Sequence, residues 1–268
     1  IYAPQTSTLV YRQLRRMKIP ADLHLYPHKG HGAYGLERGI EFMRQMGFID
    51  TLAKEEFIMD RYATDNTPCN YHKASIWPEG KTPDVQEKQN QPYIEWYIPK
   101  ELKTKAIQIV YAGGGYEYNL PEDHEVAPIC RYLNAKGMAV VVLKYRSPRP
   151  NPPLAKHTTA WQDLQRAIRI VRLEAESRGL DPNRIGIMGS SAGGHLTLMG
   201  TTSSMHRSYL PIDKIDETPC NVQWGICIYP AYVLSDGING TNNRGGNEEN
   251  VTFATDFSFD LKTAPMIF

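Results

Sequence analysis

Residues 184–196, RIGIMGSSAGGHL, restrict the architectures open to this chain. Ile185–Met188 is an apolar run of strand length. Six small residues, Gly189–Gly194, close it, and His195, Leu196 and Leu198 follow. That pattern predicts a strand, a sharp turn and a helix. The grammar recurs along the chain. KAIQIVYAGGGYEYN (105–119) reads as a strand running into a glycine-rich turn, and Val126, Ile129, Cys130 and Leu133 form a helix face ended by Gly137. MAVVVLKYR (138–146) opens on a continuous apolar run, as a strand buried on both faces of a parallel sheet requires. A proline-stiffened loop, SPRPNPP, then leads to a long helix with Leu164, Ala167, Ile168 and Val171 facing inward, and VQWGICIYP supplies a further strand. Strands alternating with helices predict an α/β fold, with a mostly parallel central sheet and helices on both faces.

The flanking segments fit the same plan. Leu9, Val10, Leu14 and Met17 predict a helix that Pro20 stops, followed by a short strand, ADLHLYP (21–27), and a glycine-rich loop, HKGHGAYG. A helix is predicted over 39–62, broken near Gly47. Residues 63–92 read as a surface loop or linker, YIEWYIP (93–99) as a strand, 235–258 as a lid-like excursion, and APMIF as the start of one more strand. The 268 residues, 41% of them hydrophobic, are enough for one domain spanning 1–268 with a substantial core.

Charge and cysteine content exclude several functions. Thirty basic against 29 acidic residues leave a net charge of +1, which gives no basis for a nucleic-acid or membrane-surface partner. The most apolar stretches, Met138–Leu143 and Trp224–Leu234, are too short to span a bilayer. The four cysteines form no CxxC pair, which argues against a zinc or disulfide framework, and no signal peptide is visible at Ile1.

GSSAG (189–193) matches G-x-S-x-G with Ser191 at its centre, in the strand-before, helix-after context that gives the motif its meaning. A sharp turn pushes the Ser191 Oγ out of the sheet. The following helix directs its positive end at the site, and the Ala192 N–H is one candidate oxyanion donor. AGGGY (112–116) lets backbone approach a ligand, so Gly113 or Gly114 is the candidate second donor. Read as a phosphate cradle, the loop lacks the third glycine and the GK[ST] that such cradles carry; a plain turn stays open. A nucleophilic serine needs a base, and His31 stands out in the glycine-rich loop after the strand DLHLYP. His195 reads as structural or pocket-lining. His24 and His28 precede His31 at metal-like spacings, but no carboxylate or cysteine clusters with them, so no metal or cofactor is predicted. Tyr34, Tyr116 and Trp77 are candidates for stacking on sugar rings, with ordinary packing as the alternative.

IQIVYAGGGYEYN, AVVVLKYRSP, WQDLQRAIRIVRLEAESRGLDPNRIGIMGSSAGGHL and CIYP together resemble the α/β-hydrolase serine esterases, in particular the acetyl xylan and feruloyl esterase branch of plant-polysaccharide-degrading bacteria. Residues 1–50 resemble the C-terminal part of that family: a helix, the last strand and the catalytic His–Gly. The family order is Ser, acid, His, yet His31 precedes Ser191 by 160 positions. The segments therefore stand in circularly permuted order relative to the family, through true permutation, a fragment of tandem copies, or rearranged numbering. The family's acid is expected in the loop that would join Phe268 to Ile1, where this sequence has none; Asp236 is a substitute candidate, with a solvated loop aspartate as the alternative. The resemblance implies a carboxylesterase with an acyl-enzyme on Ser191 and His31 as base, acting without cofactor on a small ester or acylated oligosaccharide such as xylan, in a secreted or periplasmic protein. A catalytically impaired carbohydrate-binding domain and a peptidase on the same fold are the alternatives.

Overall fold

The computed structural model describes residues 5–25, 36–49, 68–120, 125–236, 240–242 and 251–268. Its elements are α1 (Gln5–Arg16), β1 (Ala21–Asp22), α2 (Leu36–Gln45), β2 (Cys69–Ser75), β3 (Tyr93–Pro99), β4 (Ile107–Tyr111), α3 (Ala127–Ala135), β5 (Ala139–Lys144), α4 (Thr158–Glu174), β6 (Ile185–Ser190), α5 (Ala192–Thr202), β7 (Trp224–Ile228), β8 (Leu234–Asp236), β9 (Gly240–Asn242), β10 (Val251–Phe253) and β11 (Met266–Ile267). Eight strands form one sheet in the order β1-β11-β7-β6-β4-β5-β3-β2. The pairs from β1 through to β5 are parallel, and β3 and β2 close the far edge antiparallel. The predicted α/β class and mostly parallel sheet are both present.

Successive strand residues face opposite sides of the sheet, and here both sides are apolar. Ile107, Ile109, Val141, Leu143, Ile185 and Ile187 pack against α4 and α5. Val110, Val140, Val142, Met188 and Trp224 pack against α2 and α3. This two-sided burial explains the unbroken apolar run in β5. Val10 and Leu14 of α1 join Leu198, Cys227 and Met266, and β1 pairs in parallel with β11 through Ala21–Met266 and Asp22–Ile267. The first described segment therefore lies at the sheet edge beside the last strand. No helix among the described residues is long and apolar enough to cross a membrane.

Gly186 shows how tightly the layers meet. A Cβ there would fall 1.9 Å from the indole of Trp224, a ring fully buried and held by its N–H to Gln108 Oε1 at 2.8 Å. Gly186→Ala is expected to lower unfolding free energy by about 3 kcal/mol, the upper part of the overpacking range, as read from the urea midpoint.

Two expectations are corrected, and a third gains detail. The segment 63–92 is not loop throughout: Cys69–Ser75 is a seven-residue edge strand in full register with β3. Its sequence, CNYHKAS, lacks an apolar alternation because an edge strand lying mostly in solvent needs none. The helix predicted over 39–62 begins at Leu36 and ends at Gln45; Gly47, at φ +72°, takes the left-handed conformation that terminates it, and residues 50–67 lie outside the described residues. The 235–258 excursion contains a small antiparallel sheet, β10-β8-β9.

Candidate active site

β6 ends at the carboxyl edge of the parallel strands, and Ser191 turns the chain into α5 with φ 53° and ψ −117°. An L-residue held there costs about 1–3 kcal/mol and persists only where its surroundings over-determine it. They do so here. The Ser191 N–H donates to Ile228 O at 3.0 Å, and its carbonyl accepts from His195 N–H at 3.0 Å and Ala231 N–H at 2.9 Å. The small neighbours are obligatory. A Cβ on Gly189 would lie 2.6 Å from the Gly193 backbone, one on Gly193 2.7 Å from Ala112 O, and one on Gly194 2.9 Å from Pro230 Cα. Ala192 opens α5, so its N–H belongs to the helix's positive end.

The glycine loop after β4 meets this turn. A Cβ on Gly113 would come within 3.0 Å of Ser191 Cβ and 2.7 Å of Ser190 O, so only glycine permits this approach. Gly114, Gly115 and Tyr116 follow at φ 78°, 62° and 65°. Side chains fix the loop from beneath. The buried Glu125 carboxylate accepts the Gly113 N–H at 3.1 Å and the Tyr229 hydroxyl on its other oxygen, and the Tyr145 hydroxyl donates to Ala112 O at 3.0 Å. With the Gly113 N–H committed to Glu125, Gly114 is the loop's remaining oxyanion candidate.

The structure thus brings Ser191, Ala192, Gly113 and Gly114 together. His31, His28 and Tyr34 lie outside the described residues. β1 runs parallel to β11, so the chain leaves it at the same end of the strands at which Ser191 stands; His24, just beyond it, donates its backbone N–H to Phe268 O at 2.8 Å and its ring pairs with Asp22 at 2.8 Å. Asp236 ends β8 with its backbone in register with Gly240 and Val251, and its side chain lies outside what is described. The sugar-stacking candidates Trp77 and Tyr116 are packing residues: Trp77 is buried with its N–H on Asp163 at 2.7 Å, and Tyr116 is fully buried.

His195 is buried beneath the site, as the structural reading has it. Its Nδ1 lies 2.7 Å from the Tyr116 hydroxyl and its Nε2 3.3 Å from Asp256 Oδ2. His157, which precedes α4, stands 5.4 Å from His195 between ring centroids and 3.8 Å from Asp256. Sequence reasoning did not find Asp256, His157 or Glu125. No local signal marks them, because each acquires its role from a partner at least 12 positions away. Burial pushes the His157 imidazole down to about 4, helped by neighbouring His195, and burial lowers His195 as well. A histidine whose folded pKa lies below its unfolded value near 6.5 stabilises the fold above pH 6.5 and loses that contribution as pH falls toward 4. His157 alone is expected to account for about 3 kcal/mol of stability lost between pH 6.5 and 4. Urea melts of His157→Gln beside the parent should show the parent's acid loss reduced.

Residues 94–226 match the BD-FAE family model. The chain is 33% identical over 128 residues, 45% of its length, to an acetylxylan esterase of Xylanibacter ruminicola, and 28% identical over 125 residues, 46% of its length, to endo-1,4-beta-xylanase B of Butyrivibrio fibrisolvens. It spans 25% of the first relative and 19% of the second. Among solved structures it is similar to an acetyl ester-xyloside bifunctional hydrolase from Caldicellulosiruptor lactoaceticus, with TM-score 0.54 and 27% identity over 73% of each chain. It also matches an α/β-hydrolase enzyme from a Medee basin deep-sea metagenome library, with TM-score 0.50 and 20% identity over 75% of this chain and 69% of that one.

Proposed function

We propose that this chain, an α/β-hydrolase in fold and similar to esterases in sequence, is a serine carboxylesterase that removes acetyl or feruloyl groups from a xylan-type polysaccharide. The observation that carries the reading is the strained Ser191 turn with a glycine loop pressed against it. Ser191 Oγ attacks the ester carbonyl while His31 takes its proton. The N–H groups of Ala192 and of Gly114 receive the charge developing on the carbonyl oxygen, with Gly113 shaping the loop. His31 then protonates the leaving alcohol and activates the water that clears the acyl-enzyme. The substrate class rests on the names of the relatives, two of which refer to xylan or xyloside and acetyl ester chemistry together. Residues 1–50 serve in this reading as the family's C-terminal part, which the place of β1 beside β11 supports.

The test is release of acetate from acetylated xylan, and of ferulate from a feruloylated oligosaccharide, by the chain and by Ser191→Ala. Serine-dependent release of one acyl group supports the reading and assigns the specificity. Binding to both substrates without release would favour the binding-domain alternative.

Glu125 acts in this scheme as a positioning residue for the oxyanion loop. Glu125→Gln is expected to lower kcat about 10- to 100-fold with KM little changed, because the displaced donor matters in the transition state and not in ground-state binding. A rise in KM at constant kcat would instead assign Glu125 to substrate binding.

A further inference from the structure

We propose that His157, His195 and Asp256 form a zinc site that clamps the 251–268 segment to α4 and α5 behind the nucleophile turn. The three side chains come from separate parts of the fold: the start of α4, the first turns of α5, and the segment after β10. One ligand atom from each lies within 4.8 Å of the other two, and among the described residues this is the one such group of His, Cys, Asp and Glu.

The spacings suit a metal better than a hydrogen bond. A charge-assisted N–H···O bond to a carboxylate runs about 2.7–2.9 Å. Here Asp256 Oδ2 stands 3.3 Å from His195 Nε2, and Oδ1 stands 3.8 Å from His157 Nε2. Ligands at about 2.0–2.1 Å around a tetrahedral zinc are about 3.3 Å apart, the separation His195 and Asp256 already show, and the rest of the set, within 4.8 Å, has at most about 1.5 Å to close. Each carboxylate oxygen already faces a different imidazole.

The surroundings also suit a cation. The Tyr116 hydroxyl at 2.7 Å from His195 Nδ1 is the outer-sphere partner that leaves Nε2 to the metal. His157 Nδ1 is buried with no hydrogen-bond partner among the described residues. Ligation through Nε2 would move the single ring proton of neutral His195 from Nε2 to Nδ1, where it faces the Tyr116 hydroxyl oxygen, with no net release of a proton. Asp256, partly exposed, opens the fourth position to a water. Lys156 opposes the cation, although its ammonium is drawn over the Tyr232 ring, 3.9 Å from the centroid.

The test is independent of ester hydrolysis. The chelator-treated chain is titrated at pH 7.5 with zinc chloride and, separately, cobalt chloride. Expected are one metal per chain, the visible absorption of tetrahedral cobalt(II), and a melting temperature raised by about 5 °C or more at saturating zinc. His157→Ala and Asp256→Asn should each weaken binding at least 100-fold while still melting cooperatively without metal, and Lys156→Met should tighten it. Failure to bind, or binding that survives both substitutions and is lost in His24→Ala, overturns the proposal. Loss of fold in one variant leaves the other, and the cobalt spectrum of the parent, to decide.

Discussion

Ser191→Ala is expected to lower acetyl-ester hydrolysis by about 10⁴-fold or more while leaving the fold in place. Alanine keeps the Cβ that the turn already accommodates at φ 53°, so the backbone strain is unchanged and stability should stay within about 1 kcal/mol. What vanishes is the atom that forms the acyl-enzyme in the proposed mechanism. The proposed oxyanion donors would persist, and in this reading they account for the residual rate above water. Initial rates with p-nitrophenyl acetate, beside a thermal melt of both proteins, check the two halves of the expectation. A variant that melts normally and keeps more than a tenth of the parent rate would place the chemistry elsewhere.

Asp163→Ala is expected to cost about 3–5 kcal/mol of stability, a large share of the 5–15 kcal/mol typical of a domain. Asp163 is fully buried on α4 and Arg146, just after β5, is almost so. The carboxylate accepts Arg146 Nε at 3.0 Å, the Arg146 backbone N–H at 2.7 Å and the Trp77 indole N–H at 2.7 Å. Burial pushes its pKa up, and Arg146 pulls it back. Because the partners it has among the described residues are all donors, the ionised form is the one that fits. Arg146 in turn reaches Pro83 O, Thr159 O at 3.2 Å and Gln162 Oε1 at 2.9 Å. Removing Asp163 strands a guanidinium in the core and releases the Trp77 segment from α4. The urea midpoint is expected to fall sharply with the slope preserved. A loss under 1 kcal/mol would show that Arg146 finds compensation from its carbonyl partners or from water.

How far the sequence discloses the molecule depends on the range of the interaction concerned. The turn at Ser191 is legible because every requirement falls within six positions: a buried strand before it, small residues through it and a helix after it. β5 is legible because burial on two faces leaves an unbroken apolar run. β2 is not, since among the described residues its one strand neighbour is β3 and its side chains lie mostly in solvent, so CNYHKAS carries no period. Glu125 and Asp256 are ordinary acidic residues in sequence, and their roles arise only where the fold brings them to Gly113 and His195. Trp77 and Tyr116 resemble sugar platforms in sequence because aromatic side chains serve surface and core alike; burial decides for the core.

The most direct test of Ser191 as the nucleophile is covalent capture with a fluorophosphonate, read by intact mass and peptide mapping. One adduct per chain is expected, on Ser191, and none on Ser191→Ala. An adduct on another residue, or none from a preparation that still hydrolyses p-nitrophenyl acetate, would contradict it.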